Sequence, residues 1–247
     1  MIDQHIASAF DRDLEEIQAH VMKMGGLVET AIRDGAKSLK SRDEELADAV
    51  RKADKKIDLL DTQIQEECAQ LLALRQPAAS DLRTVLTVMR IAANLERVGD
   101  YAKNMAKRTS VLVHMQPIDG ASGAIKRMAM EVQLMLSDVL DAYIRRDVDL
   151  AQDVRHRDIE VDQMYNALFR EFLTFMMEDP RNISSCMHLH FIAKNIERMG
   201  DHVTSIADQV IYLVTGDMPE EARPKGNSPN YELPASKNKH EDDEAAS

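Results

Sequence analysis

The sequence predicts an all-α protein built as a tandem repeat of two antiparallel three-helix bundles, six long helices in all. Good helix formers dominate its 247 residues, aromatic residues make up only 4 % and tryptophan is absent. Apolar residues recur at spacings of three and four along six long segments, which is the period of amphipathic helices. Residues 91–100 reappear, with substitutions, as residues 192–201. An internal repeat of this kind indicates two copies of one structural unit.

The first bundle is expected within residues 1–116. Its first helix covers about residues 3–40. Ser41 and Glu44 follow with the spacing of a capping box, which opens the second helix. The second helix is expected to end near Pro77, because proline disfavours helix at the residue before it.

The third helix carries the first copy of the repeat, and the sixth helix carries the second copy. Ser80 is a candidate N-cap for the third helix, which continues to about Val113. Apolar positions at helical spacing define a seam on the buried side of both helices. The seam is Ile91, Leu95, Val98, Ala102, Met105, Thr109 and Leu112 in the third helix, and Ile192, Ile196, Met199, Val203, Ile206, Val210 and Leu213 in the sixth.

The second bundle is expected within residues 117–216. A Pro-Ile-Asp-Gly break at residues 117–120 separates it from the first bundle. The fourth helix follows this break, and Asp147 is suited to cap the fifth. The sixth helix ends near Val214, where Gly216 fits the left-handed position that follows a helix.

Residues 217–247 differ in composition from the rest of the chain. They hold four of its seven prolines, clusters of charged residues and almost no large apolar side chain. Such a segment buries too little apolar surface to offset the loss of chain entropy on folding. We therefore predict a disordered C-terminal tail.

Charge and composition exclude several classes of function. A net charge of −12 repels nucleic acid. Cys68 and Cys186 lack metal-binding or redox spacing, so we expect them in the core of a protein from a reducing compartment. No secretory leader and no apolar run of ~20 residues is visible, which predicts a soluble cytoplasmic protein. No phosphate-binding glycine loop or nucleophile elbow is present, so we do not expect an enzyme.

The repeated segment places two carboxylates one helical turn apart in each half. Glu96 and Asp100 in the third helix correspond to Glu197 and Asp201 in the sixth. Residues four apart share one face of a helix, and like charges there cost a few tenths of a kcal/mol. Both pairs point away from the apolar seam, towards an outer face or a boundary between neighbouring helices. The natural partner of such a pair is a cation.

The second and fifth helices carry matching pairs. Asp54 and Asp58 lie on the flank of one apolar stripe, and Asp158 and Asp162 lie on the flank of the other. Antiparallel neighbours can bring the pairs of one half side by side. Four carboxylates without histidine or thiolate make a hard oxygen site, which suits Fe, Mn, Mg or Ca better than Zn.

A solvated acidic surface is the main alternative, because 43 acidic residues produce some pairs at this spacing by chance. The repeat favours a site, since several residues recur while those between them vary. The recurring residues of the first copy are Asn94, Glu96, Arg97, Gly99 and Asp100. A glycine inside a helix costs ~1 kcal/mol relative to alanine, which indicates close approach of a helix or an ion. A carboxylate-bridged metalloenzyme and a metal-free helical scaffold also remain open as functions.

These motifs resemble those of the PhoU family, bacterial regulators of phosphate uptake and phosphate-starvation signalling. The resemblance covers about residues 1–216 and is most specific in residues 94–100 with their repeat, residues 54–58 and residues 75–83. It implies a tandem pair of three-helix bundles whose E/DxxxD motifs bind clusters of metal ions on the surface. It also implies a negative regulator, an adaptor that contacts the ATPase of the phosphate ABC transporter and the phosphate-responsive sensor histidine kinase.

By position, the resemblance assigns one multinuclear metal site to each half, with iron, manganese or magnesium as the expected ions. Asn104 fits the family pattern one turn after the first motif. Ser205, a poorer ligand, takes that place in the second half, where Asp208 is expected to substitute in part. The assigned ligands are Asp54, Asp58, Glu96 and Asp100 in the first half and Asp158, Asp162, Glu197 and Asp201 in the second.

Two expectations concern assembly. Apolar positions at the edges of the long helices favour a homodimer. The partners that the resemblance implies lead us to expect contact with the membrane only through those proteins.

Overall fold

The computed structural model describes residues 2–75 and 79–219 of the chain. Within these residues every regular element is helical, so the all-α prediction is confirmed. None of these helices combines the length and the apolar character that a membrane span requires. The predicted turn at Pro77 and residues 220–247 of the predicted tail lie outside the described residues. The elements are α1 (Ile2–Ser41), α2 (Glu44–Arg75), α3 (Ala79–Leu112), α4 (Ala121–Arg145), α5 (Val148–Glu178), a 3₁₀ turn (Pro180–Asn182) and α6 (Ile183–Thr215).

Helix α2 is capped by Asp43 and not by a capping box at Ser41. Asp43 Oδ1 accepts a hydrogen bond of 2.9 Å from the Leu46 N–H, which is the geometry of an N-cap. Ser41 still lies in α1, and its hydroxyl donates to the Lys37 carbonyl at 2.9 Å. The capping-box prediction is wrong because this serine bonds back to its own helix.

Three other predicted helix ends have mixed outcomes. Asp147 Oδ1 accepts from the Leu150 N–H at 3.0 Å, which confirms the cap of α5. Gly216 follows α6 with a φ of 89°, the left-handed conformation expected there. Ser80 is not an N-cap, because α3 begins one residue earlier, at Ala79.

The helices of each half form a three-helix bundle, as predicted. Helices α1, α2 and α3 pack against one another, and so do α4, α5 and α6. The bundles meet through α3 with α6 and through α1 with α4. Helices α3 and α6 run antiparallel, because Arg90 lies 3.4 Å from Gln209 near one end of their contact. Near the other end Arg108 lies 3.5 Å from His188.

One continuous apolar core joins the two halves. Every predicted seam position of α3 and α6 is buried, and so are both cysteines. Tyr101 and His202 occupy equivalent positions of the repeat and contact each other, with ring centroids 5.7 Å apart. His202 Nδ1 also hydrogen-bonds Asn94 Oδ1 at 2.8 Å. Contact between equivalent positions indicates an approximate two-fold axis near the middle of α3 and α6, so each half holds its acidic motif close to this junction.

Candidate metal centres

The first acidic cluster lies where α2 closely approaches α3. Gly99 permits the approach, since a Cβ atom there would lie 3.1 Å from Ile57 Cδ1 and 3.7 Å from Asp54 Oδ1. The close approach expected at this glycine is therefore confirmed. Asp54 is only 3 % exposed, and its Oδ1 has no hydrogen-bond partner among the described residues. A buried carboxylate oxygen without a donor is costly unless a cation lies nearby.

The four carboxylates predicted for the first half interact with one another electrostatically. Burial raises the pKa of Asp58, as do the charges of Asp54 and Asp100, while Lys103 lowers it. Burial also raises the pKa of Glu96, and the charges of Asp100 and Asp58 add to the increase. Carboxylates that raise one another's pKa are mutually repulsive at neutral pH. The cluster therefore has an excess of negative charge that a bound cation relieves.

Among the described residues, Lys103 of α3 contacts two carboxylates of the first cluster. Its Nζ lies 2.5 Å from Asp54 Oδ2 and 3.3 Å from Asp100 Oδ1. The hydrogen bond to Asp54 raises the pKa of Lys103, so the amine is an ammonium at neutral pH. The motif arginine, Arg97, lies 3.7 Å from Glu96 and is 62 % exposed, so this pair is loose.

The second acidic cluster lies between α5 and α6 and is built in the same way. A Cβ atom on Gly200 would lie 2.7 Å from Asp158 Oδ1, so this glycine also permits a close approach. Asp158 is 6 % exposed. Burial raises the pKa of Glu197, and the charges of Asp201 and Asp162 raise it further. Glu197, Asp201 and Asp162 of the second half therefore interact electrostatically, and Asp158 lies against Gly200 of the same motif.

Lys194 contacts the second cluster from its own helix. Its Nζ lies 2.7 Å from Glu197 Oε1 and 5.1 Å from the centre of the Tyr165 ring. The other oxygen, Glu197 Oε2, is buried and accepts no hydrogen bond from the described residues. An uncompensated buried oxygen is therefore present in each half.

Two residues expected to complete the second cluster have other contacts. Ser205 Oγ donates to the Asp201 carbonyl at 2.9 Å. Asp208 Oδ1 lies 2.8 Å from Arg155 Nε in an ion pair that joins α6 to α5. Asp208 therefore neutralises an arginine, and its expected role as a substitute ligand is not supported by this geometry.

Sequence reasoning missed three residues of the clusters. Asp61 contributes to the raised pKa of Glu96 and of Asp58. The other two are Lys103 and Lys194, each three residues from an acidic residue of its motif. That spacing places two side chains on one helix face, so it could have identified both lysines as partners of the carboxylates.

The carboxylate side chains of the two clusters are suitable ligands for a hard metal ion, although they do not surround a common centre. Among residues 2–75 and 79–219, no three His, Cys, Asp or Glu side chains are grouped closely enough to hold a metal together. Carboxylate oxygens are the ligands that hard cations prefer, and each cluster has one buried oxygen without a hydrogen-bond donor. The chemistry of the residues present, carboxylates with a buried oxygen that accepts no hydrogen bond, fits a hard metal ion.

The fold and the two acidic clusters place this chain in a class of duplicated helical-bundle proteins, with one carboxylate cluster in each repeat. The family model described as the PhoU domain matches the chain twice, over residues 21–109 and 125–210. The chain belongs to the PhoU family.

Several curated relatives are similar along most of the chain. The phosphate-specific transport system accessory protein PhoU homolog of Caulobacter vibrioides is 43% identical over 222 residues, 90% of this chain and 96% of the relative. The protein of the same name from Rhizobium meliloti is 44% identical over 225 residues, 91% of this chain and 95% of the relative.

Two solved structures share the fold. The crystal structure of PhoU from Pseudomonas aeruginosa has a TM-score of 0.81 at 40% identity, covering 84% of this chain and 100% of that one. The phosphate transport system regulatory protein PhoU from Streptococcus pneumoniae has a TM-score of 0.79 at 30% identity, covering 86% and 100%.

Proposed function

We propose that this protein is an accessory protein of a phosphate-specific transport system that represses phosphate uptake and phosphate-starvation signalling. One observation carries the proposal: relatives with that accessory name are more than 40% identical over about nine tenths of the chain. These relatives are named as accessory proteins and not as enzymes, which supports a non-catalytic role. Repression itself rests on the resemblance of the repeated motifs to those of the family.

Repression is proposed to act through protein contacts. The partners are the ATPase of the phosphate ABC transporter and the phosphate-responsive sensor histidine kinase, between which the protein is an adaptor. The −12 net charge favours partners with basic surfaces over nucleic acid. A homodimer stays a prediction.

The two acidic clusters are proposed to bind hard metal ions, iron, manganese or magnesium. A bound cation supplies positive charge that cancels the repulsion within each cluster and ties the two helices together. The ligands are Asp54, Asp58, Glu96 and Asp100 between α2 and α3, and Asp158, Asp162, Glu197 and Asp201 between α5 and α6. The raised pKa values of Asp58, Glu96 and Glu197 support this proposal. In each case burial and neighbouring negative charges destabilise the ionised carboxylate, and a bound cation would stabilise it.

Carboxylate-bridged oxidation chemistry is less compatible with these positions. Ligands of di-iron bundle enzymes project into the bundle core and include a Glu-x-x-His motif. Here Glu96 and Asp100 lie off the apolar seam, with side chains 26% and 33% exposed. A regulator with metal-loaded surfaces is therefore preferred over a metalloenzyme.

Deletion of the gene tests the regulatory role. We expect phosphate-starvation genes to be derepressed in phosphate-replete medium, because the proposed repressor is then missing. Transcript levels in deletion and parent strains measure this. The control is the deletion strain with the wild-type gene restored, in which repression should return. Unchanged expression in the deletion strain would count against the proposal.

A further inference from the structure

Lys103 of α3 lies between a carboxylate of α2 and a carboxylate of its own helix. Its ammonium contacts Asp54 on one helix and Asp100 on the other, at 2.5 and 3.3 Å. Asp54 is 3 % exposed, so water solvates this carboxylate poorly and the lysine provides its charge partner. The side chain of Lys103 is itself 40 % exposed. The ammonium can therefore leave towards solvent without unfolding of the helix that carries it.

We infer that Lys103 is a built-in competitor for the metal of the first cluster. A metal ion held by the first cluster and the Lys103 ammonium would draw on the same two carboxylates, Asp54 and Asp100, so each weakens the binding of the other. A single ammonium offsets only part of the charge of four carboxylates, whereas a divalent or trivalent ion offsets more. Lys103 thus stabilises the first half when no metal is bound. An ion must bind the carboxylates more strongly than this ammonium does, which favours highly charged ions. The inference rests on the proposed metal binding.

The equivalent position of the second half does not repeat this arrangement. Thr204 stands where Lys103 stands in the repeat, and it is fully buried with Oγ1 donating to the Asp201 carbonyl at 2.9 Å. A threonine supplies no positive charge. Lys194 contacts a carboxylate of its own helix, Glu197, at 2.7 Å. The first half therefore has a lysine that bridges two helices, whereas Thr204 and Lys194 do not form such a bridge in the second half.

The test is a Mn²⁺ titration of full-length protein in which the second cluster is removed by Glu197→Ala and Asp201→Ala. In this background Lys103→Met is expected to tighten Mn²⁺ binding by about tenfold or more, because one direct charge competitor is gone. Lys103→Arg keeps the charge and should bind as the background does. Electron paramagnetic resonance of free Mn²⁺ measures the affinity.

Lys107→Met is the matched control. It removes a lysine one turn further along the same helix, where the side chain is exposed. The net charge changes equally, so an affinity change under about twofold is expected. If Lys103→Met and Lys107→Met tighten binding equally, the effect is one of overall charge and the inference is overturned.

The remaining outcomes separate this inference from the proposed function. Equal affinity with and without Lys103→Met overturns the competitor and leaves metal binding intact. No Mn²⁺ binding in any of these variants overturns both.

Thermal unfolding without metal provides a second readout of the same contact. Lys103→Met should lower the melting temperature by about 2–4 °C, because it removes the half-exposed charge partner of a buried carboxylate. An unchanged melting temperature would overturn the role of Lys103 as partner of Asp54.

Discussion

Replacing Glu96 and Asp100 together by alanine is expected to abolish metal binding in the first half, while the second half keeps its metal. The change removes two of the four oxygen ligands contributed by α2 and α3. The second cluster draws its ligands from α5 and α6, which the change does not touch. Elemental analysis of wild type and variant, expressed as metal per chain, measures the loss.

The matched control for this prediction is Asp149→Ala with Asp153→Ala. These two carboxylates have the same four-residue spacing on α5, but both are exposed and lie outside the clusters. The control should retain the metal content of the wild type. Folding of the Glu96→Ala/Asp100→Ala protein should survive, since both side chains lie off the apolar seam. Equal, non-zero metal in wild type and variant would refute the assignment of the first site.

Arg155→Ala is expected to lower the free energy of unfolding by about 3 kcal/mol. Arg155 Nε lies 2.8 Å from Asp208 Oδ1, and the two side chains are only 8% and 15% exposed. Removing one partner of a buried ion pair leaves the other charge in a poorly solvated position, which costs about 3–5 kcal/mol. Urea unfolding of wild type and variant measures the difference.

The double variant Arg155→Met/Asp208→Leu tests the cause of this loss. It removes both charges and fills their volume with apolar atoms, so most of the stability should return. If the double variant is as unstable as Arg155→Ala, the loss comes from packing and not from the loss of the Asp208 ion pair.

The helices and the halves could be predicted because local patterns determine them. Apolar residues at helical spacing identified every buried seam position of α3 and α6. Repetition identified the two units and drew attention to Gly99 and Gly200, where the structure has close contacts between helices. The pairing of Asp54 with the motif of α3 followed from its place on the flank of an apolar stripe.

Features that depend on tertiary distance could not be predicted. Lys103 reaches Asp54 only because α2 lies so close to α3, and no spacing along the sequence reports that distance. Asp208 resembled a spare ligand, but the register of α5 against α6 sets Arg155 beside it. The junction of the halves through α3 and α6 is likewise a matter of packing.

The predicted cap of α2 was wrong for a more local reason. Ser41 and Asp43 are both suitable N-caps by residue type. The choice depends on where α1 ends, and α1 extends through Ser41 itself. The cap therefore falls to Asp43, whose carboxylate is free to accept the bond from Leu46.

The central claim is that the two acidic clusters are metal sites, and metal analysis of the wild-type protein tests it most directly. The protein is purified without chelators and without a metal-affinity tag, and its metal content per chain is determined. The account predicts bound iron, manganese or magnesium that falls by about half in the Glu96→Ala/Asp100→Ala protein, as expected for two clusters with independent ligands. A wild-type protein that contains none of these metals, and that binds none when they are added, would contradict it.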